Sequence, residues 1–224
     1  MRRLLITTVG IGLVVAGYAT AQPVEPKTEE EKALYALGVA VSQSLAPFNL
    51  SEAELEIVKA GLTDNALHKP TKVDPQAYYP KLREMQSSRA AAAGKAVLDK
   101  AAAEKGAKRT PSGLVIVPIK EGTGPTPKPT DTVKVHYHGT LPDGKVFDSS
   151  VQRNEPASFP LNGVIPCWTE GVQLMKVGGK SKLVCPASLA YGDRGAPPDI
   201  GPGATLIFEV ELLAIEKPEK PQGK

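Results

Sequence analysis

The chain has 224 residues, of which 27 are Lys or Arg and 24 are Asp or Glu, for a formal net charge of +3. This near balance excludes the strong basic footprint of a nucleic-acid-binding protein. Aromatic residues make up only 5% of the chain, so a cluster of them in one region calls for an explanation.

An N-terminal targeting segment is predicted at residues 1–21. Basic Arg2-Arg3 precede an apolar run from Leu4 to Gly17, and Ala19-Thr20-Ala21 is a small-residue cleavage site. The run is too short to span a membrane well, and no cysteine follows it for a lipid anchor. A twin-arginine signal is a less favoured alternative. We expect a periplasmic or exported protein, cleaved near Ala21, with no membrane span after removal of the signal.

Two capping boxes open the helical first half of the chain. Thr28 with Glu31, and Ser51 with Glu54, have the spacing at which each side chain bonds the other's backbone N–H. Apolar residues at helical spacing follow each box: Leu34, Leu37, Val41 and Leu45 before Pro47 in the first helix, and Leu55, Val58 and Leu62 in the second.

A third, long helix is predicted from Asp74-Pro75 to about Lys105, with Gly106 as its C-cap. From Ala90 onward its surface is mostly alanine and charge, which predicts a projecting stalk and not a core element. Such helices make a marginal core by themselves. We therefore expect a homodimer through the N-terminal helices, the alternative being that they pack on the following domain.

The second half of the chain has the two-residue period of β-strands. Strands are predicted at Leu114–Val117, Thr132–Gly139, from Val146 onward, at Lys180–Cys185 and at Leu206–Leu212. Pro166 restricts Ile165 to extended geometry, so a short helix begins near Cys167 and places Trp168 in its first turn. Trp168, the only tryptophan, is interpreted as the floor of an apolar pocket.

These elements predict an α+β chain divided into a signal segment at residues 1–21, a helical dimerisation region with a stalk helix at residues 22–107, an antiparallel domain at residues 108–216 and a disordered tail at residues 217–224.

Few residues suggest acid–base or metal chemistry. His136 and His138 share one face of a strand, but no third ligand lies nearby in sequence, so we expect two solvated histidines and no metal. No nucleotide or hydrolase motif is present, and we expect no cofactor. Cys167 lacks an obvious base. The even cysteine count and the export segment favour a bridge between Cys167 and Cys185, the alternative being two buried thiols.

Most of the aromatic residues lie in the second half of the chain: Tyr137, Phe147, Phe159, Trp168, Tyr191 and Phe208. An ordinary core would explain most such clusters. However, Asp148 places a carboxylate directly beside Phe147, and Tyr191 lies in a Gly/Pro-rich loop where a core residue is less expected. We therefore interpret the cluster as a binding site.

Five motifs give the second half a family resemblance. They are Val135-His136-Tyr137-x-Gly139, Gly144-x-Val146-Phe147-Asp148-Ser149-Ser150, Val164-Ile165-Pro166-x-Trp168-Thr169-Glu170-Gly171, Leu189-Ala190-Tyr191-Gly192 and Ala204–Leu213. In this order they resemble the FKBP-type peptidyl-prolyl isomerases, and the helical first half resembles the exported, dimeric Mip-like and FkpA-like members. The resemblance implies a half-barrel of antiparallel strands wrapped around one short helix.

The resemblance also implies the pocket and its substrate. The catalytic positions fall on Tyr137, Phe147, Asp148, Trp168, Tyr191 and Phe208, and the substrate-binding positions on Phe159, Val164, Ile165 and Ile200. Unfolded proline-containing proteins would be the substrates and macrolides the inhibitors. Ala157 replaces a wall aromatic of the small members, which argues against tight macrolide binding. Cys167 and Cys185 replace a glycine and an inward aliphatic, a pair of changes that suggests a disulfide.

Two other functions remain alternatives to isomerisation. Two apolar clefts carried on long helices would suit a holdase chaperone that grips unfolded chains, with isomerisation incidental. The aromatic set favours isomerisation over the holdase function. A structural or surface-interaction protein with an inactive pocket is the least favoured.

Overall fold

The computed structural model describes residues 25–216. The predicted signal segment at residues 1–21 and the predicted disordered tail at residues 217–224 lie outside this range. The chain separates into two compact units with the boundary between Gln43 and Ser44. This boundary comes earlier in the chain than the division between residues 107 and 108 that the sequence suggested.

The first unit contains helix α1 (Glu29–Ser42). Its capping box is formed as predicted, since Glu31 N–H donates to Thr28 Oγ1 at 3.1 Å and Thr28 N–H donates to Glu31 Oε2 at 2.9 Å. The prediction that α1 continues through Leu45 to Pro47 is wrong. The helix ends at Ser42, and Pro47 lies inside a separate 3₁₀ turn, Ala46–Phe48. Proline has no N–H to bond the carbonyl four residues earlier, here that of Gln43, and its ring clashes with that carbonyl, so α1 cannot continue to Pro47.

The second unit begins with two further helices, α2 (Glu52–Ala66) and α3 (Pro75–Ala102). Ser51 and Glu54 form the second capping box, and the Asp74 side chain accepts from Gln76 N–H at 3.0 Å. All three predicted helix starts are therefore confirmed. Helix α3 ends before Lys105, and Gly106, with φ of +78°, follows in the turn.

Within the described part of the chain seven strands follow: β1 (Lys108–Arg109), β2 (Val115–Lys120), β3 (Thr132–Thr140), β4 (Val146–Ser149), β5 (Ala157–Pro160), β6 (Lys180–Cys185) and β7 (Leu206–Glu216). They form one antiparallel sheet in the order β1-β2-β6-β7-β3-β4. Strand β3 is central, because it pairs with β7 along its length on one side and with β5 and then β4 on the other. The sequence missed β1 and β5, which are too short to show a period.

The inner face of the sheet packs on the short helix α4 (Pro166–Val172). The predicted alternation in β3 is confirmed, since Val133, Val135 and Tyr137 are buried while Lys134 is exposed. Phe208 and Val210 of β7 are also buried in this core. The predicted fold class is confirmed: helices come first, and an antiparallel sheet packed around a short helix follows.

The outer face of the sheet is covered as well, by α3. Val115, Val117 and Val184 are buried in a second cluster with Ala101, against which Val97 and Leu98 pack. The expectation that α3 projects freely from Ala90 onward is therefore wrong for its last turns. Alanine and glycine give no apolar stripe, but their small size lets the helix backbone approach the strands closely.

Among residues 25–216, no helix is both long and apolar enough to cross a membrane.

Candidate active site

A pocket of about 630 Å³ opens between α4, the inner face of the sheet and the loop before β7. The structure places every residue that the sequence singled out for the site in its lining: Tyr137, Phe147, Asp148, Phe159, Val164, Ile165, Trp168, Tyr191, Ile200 and Phe208. Gly163 and residues 196–199 complete the lining. We call this cavity the aromatic pocket.

Trp168 forms the floor of the aromatic pocket and is only 4% exposed. Three rings meet its indole edge to face, with centroid distances of 5.3 Å to Tyr137, 5.5 Å to Phe159 and 5.4 Å to Phe208. This geometry places the positive edge of one ring against the negative face of another and stabilises the arrangement beyond simple burial. Trp168 Nε1 is buried without a hydrogen-bond partner among the described residues, which is unusual for an ordinary core.

One wall depends on a glycine that leaves room for two aromatic rings to meet. Gly139 of β3 pairs with Phe208 of β7 on one side and with Asp148 of β4 on the other. A Cβ atom at Gly139 would lie 2.6 Å from Phe147 Cζ and 3.1 Å from Phe208 Cε1. Because Gly139 has no side chain, the rings of Phe147 and Phe208 can meet edge to face at 5.4 Å.

Asp148 is the hub of a polar network at the rim. The Tyr137 hydroxyl donates to Asp148 Oδ2, and the Arg153 guanidinium donates to Asp148 Oδ1 and, at 3.1 Å, to Tyr137 Oη. The same guanidinium lies 5.9 Å from the centroid of the Tyr137 ring. The sequence missed Arg153, since an arginine in a turn five residues after the aspartate carries no signal of its own.

The network holds its members in fixed protonation states. Burial raises the pKa of Asp148, but the hydrogen bonds from Arg153 and Tyr137 outweigh it, so the net pKa lies below the ordinary 3.8. Burial, and then the hydrogen bond to Asp148, raise the pKa of Tyr137 above 10.0. At neutral pH the carboxylate is ionised and the phenol is protonated, so the pair can orient groups but is poorly suited to proton transfer.

Two hydrogen-bond donors at the pocket have no partner among residues 25–216. Ile165 precedes α4 in extended geometry, with φ of −59° and ψ of 147°, and its N–H bonds no other described residue. Tyr191 follows the 3₁₀ turn Ala187–Leu189 and is 42% exposed. Both line the pocket, so both donors are available to a bound molecule.

The two histidines of β3 lie on the opposite face from Tyr137. His136 Nδ1 is 3.1 Å from Ser150 Oγ, and His138 Nδ1 is 3.0 Å from Ser149 Oγ. They are half-buried and hydrogen-bonded, which corrects the expectation that both are simply solvated. No group of three or more His, Cys, Asp or Glu able to hold a metal is found between residues 25 and 216.

A disulfide joins Cys167 to Cys185 in the structure, with their Cα atoms 5.7 Å apart. Both residues are fully buried. Cys167 precedes the floor residue Trp168, and Cys185 ends β6 just before the loop that carries Tyr191. The bond therefore links the helix under the pocket to the strand that leads into its wall.

Family models match both halves of the chain. Residues 124–213 match the model described as FKBP-type peptidyl-prolyl cis-trans isomerase, and residues 30–115 match the domain amino terminal to that isomerase. The match at residues 30–115 covers helices α1 to α3 and strand β1 and ends at the first residue of β2. The match at residues 124–213 covers the strands and loops that build the aromatic pocket.

Several curated proteins resemble the chain over most of its length. FKBP-type peptidyl-prolyl cis-trans isomerase FkpA of Aeromonas hydrophila is 44% identical over 219 residues, covering 89% of this chain and 81% of that protein. An FKBP-type 22 kDa isomerase of Escherichia coli is 43% identical over 198 residues, covering 84% and 96%. The crystal structure of FkpA from Escherichia coli gives a TM-score of 0.58 at 38% identity, covering 86% of this chain and 99% of that one.

Proposed function

The chain belongs to the FKBP-type peptidyl-prolyl cis-trans isomerases, and we propose that its aromatic pocket speeds the folding of exported, proline-containing proteins. The observation that carries this proposal is the floor of the pocket, where three rings surround Trp168 edge to face at 5.3–5.5 Å. A flat indole framed by rings suits a compact, apolar ring such as that of proline.

An apolar pocket can catalyse this reaction without proton transfer. The barrier of about 18–20 kcal/mol to rotation of a peptide bond comes from amide resonance, which also places negative charge on the carbonyl oxygen. The twisted amide loses this charge separation, whereas water solvates the planar dipole well. A pocket with few polar groups therefore favours the twisted state over the planar one, and this difference lowers the barrier.

Each lining residue then has a role in the proposal. Trp168 lies under the proline ring, while Tyr137, Phe147, Val164, Ile165 and Phe208 enclose it and Phe159 and Ile200 extend the contact. The Ile165 N–H and the Tyr191 hydroxyl donate to substrate carbonyl oxygens, which their lack of internal partners supports. Asp148 orients Tyr137 and moves no proton, in agreement with its lowered pKa.

The division of labour along the chain is also a proposal. Residues 108–216 form the isomerase domain and residues 22–107 the dimerisation region, with the signal at residues 1–21 directing the protein to the periplasm. The exposed apolar side chains of α1 support dimerisation, since Leu34 is 62% exposed and Leu37 is 60% exposed, and large apolar groups in contiguous patches mark interaction surfaces. Macrolides remain candidate inhibitors, with affinity limited by the small side chain of Ala157.

Holdase activity is the second candidate. The observation that favours it is the amount of apolar surface on the second unit's helices, where Ile57, Leu62 and Tyr79 are each about half exposed or more. Unfolded chains bind such surfaces through burial of apolar area.

Two client proteins distinguish these functions. The first refolds at a rate limited by proline isomerisation, and the second aggregates but contains no proline. We expect the full chain to speed refolding of the first client, and Phe147→Ala to lose most of that effect. If the protein instead suppresses aggregation of the second client but leaves the first client's rate unchanged, the holdase function is the correct one.

A further inference from the structure

One wall of the aromatic pocket is the loop of residues 191–203, which we call the wall segment. Its backbone forms no hydrogen bonds with strands β1 to β7. It supplies Tyr191, Ile200 and the four lining residues between 196 and 199. Its own backbone ties it into a compact loop, since Ala196 and Ile200 exchange hydrogen bonds of 2.8 and 3.0 Å and Gly203 N–H donates to Gly192 O at 3.0 Å. The position of the whole loop therefore depends on what holds it from outside.

Two polar contacts join the wall segment to the rest of the described chain. Lys145 Nζ lies 2.9 Å from Asp199 Oδ1 at the pocket rim. At the base of the segment, the Ser87 hydroxyl of α3 donates to Asp193 Oδ1 at 2.8 Å. Asp193 is two residues from Tyr191, so this second contact connects α3 with a residue that lines the pocket.

The backbone of α3 also touches the segment at its C-terminal end. Gly203 lies against Ser87, where a Cβ atom at Gly203 would be 2.8 Å from both the Ser87 carbonyl and hydroxyl oxygens. A Cβ atom at Gly201 would lie 2.9 Å from Gln86 Nε2. Both ends of the wall segment therefore rest on the same turn of α3.

This turn belongs to α3, which packs closely against the sheet. Gly94 is buried against Thr205, because a Cβ atom at Gly94 would lie 2.0 Å from Thr205 Oγ1. Further along, Ala101 packs into the outer face of the sheet, and Glu104, just beyond the helix, accepts from Lys182 Nζ at 2.6 Å. On its other side α3 contacts the 3₁₀ turn Ala46–Phe48 and α2, since Arg89 donates to Phe48 O at 2.6 Å and pairs with Glu54.

We propose that Ser87 and Gly94 are positioning residues of the isomerase site: α3, seated through Gly94, sets the place of Tyr191 and Ile200 through the contact between Ser87 and Asp193. This inference rests on the proposed function of the aromatic pocket. In this proposal α3 contacts both the wall segment and α2, so a displacement of α2 also shifts the wall of the aromatic pocket.

A double-mutant cycle on Ser87 and Asp193 tests the contact in the full chain. Ser87→Ala and Asp193→Ala should each lower kcat/KM for a short X-Pro peptide about fivefold, the effect of losing one hydrogen bond, mainly through KM. The double variant should be no slower than either single variant, because both remove the same contact. Asp193→Asn keeps an acceptor oxygen and should stay near the wild-type rate.

Ser88→Ala is the matched control, because among residues 25–216 the Ser88 hydroxyl bonds only Met85 O of its own helix, at 3.1 Å. Its loss should leave the rate unchanged. Quenching of Trp168, the only tryptophan, gives an independent measure of peptide affinity, which should weaken in parallel with the rise in KM.

Gly94→Ala tests whether the close packing of α3 on Thr205 positions the wall segment. The added methyl group must move α3 away from Thr205, and kcat/KM should fall by more than in Ser87→Ala. Gly61→Ala is the same change in α2, where an added Cβ atom would meet nothing within 4 Å beyond its chain neighbours and the backbone of its own helix, and it should leave the rate unchanged. If Gly94→Ala does not fold, the Ser87 and Asp193 cycle still decides.

The proposal would be overturned if Ser87→Ala and Asp193→Ala both kept the kcat/KM and peptide affinity of the wild type. A lower Tm in these variants would not rescue it, because the contact would then contribute to stability alone. A wild-type chain with no isomerase activity, or an unimpaired Phe147→Ala, would instead refute the proposed function, and this inference with it.

Discussion

Reduction of the Cys167–Cys185 disulfide should destabilise the protein by about 3 kcal/mol. The two cysteines are separated by 18 residues, and closing a loop of that size restricts the unfolded chain by about 3 kcal/mol in the chain-entropy model. Reduction removes no heavy atom from the core, so no cavity energy adds to this figure. Small proteins are stable by only about 5–15 kcal/mol, so the loss is large.

Urea unfolding of the oxidised and reduced protein measures this difference directly. With a slope of about 2 kcal/mol per molar urea, the midpoint should fall by about 1.5 M on reduction. Alkylation under denaturing, non-reducing conditions followed by mass measurement checks the starting state, and no cysteine should be modified in protein isolated from the periplasm.

The matched variant is Cys167→Ala with Cys185→Ala, which should no longer respond to reductant and should be less stable than the reduced protein, because it also removes two buried sulfur atoms. Two alkylated cysteines in periplasmic protein would rule the bridge out. An unchanged midpoint after complete reduction would refute the argument that the bond acts by restricting the unfolded chain.

Three further predictions concern assembly, acid stability and the pocket wall. Leu37→Glu should convert a dimer to monomers in light scattering, whereas Ala36→Glu should not, because Ala36 lies about 100° around α1 from Leu37 and farther still from Leu34 and Val41. A wild-type chain that is monomeric at tens of micromolar would contradict dimerisation. The pKa of Glu54 is lowered from 4.5 to about 2 by the Ser51 backbone N–H and then by Arg89. The ionised carboxylate therefore stabilises the fold above about pH 4.5, and this effect is lost as the pH falls towards 2. Glu54→Gln should make Tm less dependent on pH between these two values. Gly139→Ala should push the Phe147 ring from its place and lower kcat/KM for an X-Pro peptide about tenfold or more. Gly38→Ala should have no effect, because an added Cβ atom there would meet nothing within 4 Å beyond its chain neighbours and the backbone of its own helix.

Local signals predicted the elements well, because each depends on residues close in sequence. The capping boxes at Thr28 and Ser51 gave the starts of α1 and α2, and the two-residue period gave β3 and its buried face. The motifs of the family resemblance gave the members of the aromatic pocket, which the strand register then brings together.

Contacts between distant elements were not predictable in the same way. The packing of α3 on the sheet depends on Gly94 and Ala101, which carry no amphipathic signal. One sign was present in the strands: the apolar run from Leu114 to Val117 is continuous, as in strands buried on both faces. Arg153 was missed because its role depends on a turn that returns its guanidinium to Asp148 and Tyr137.

The central claim is that the shape and polarity of the aromatic pocket, and not an ionisable group, lower the barrier. The most direct test is kcat/KM of the full chain for a short X-Pro peptide, measured between about pH 6 and 8 for the wild type, Phe147→Ala, Asp148→Asn and His138→Ala. We expect a nearly flat profile, a large loss in Phe147→Ala, a smaller loss in Asp148→Asn and no change in His138→Ala. A steep rise of kcat/KM through the histidine range that disappears in His138→Ala would contradict this account.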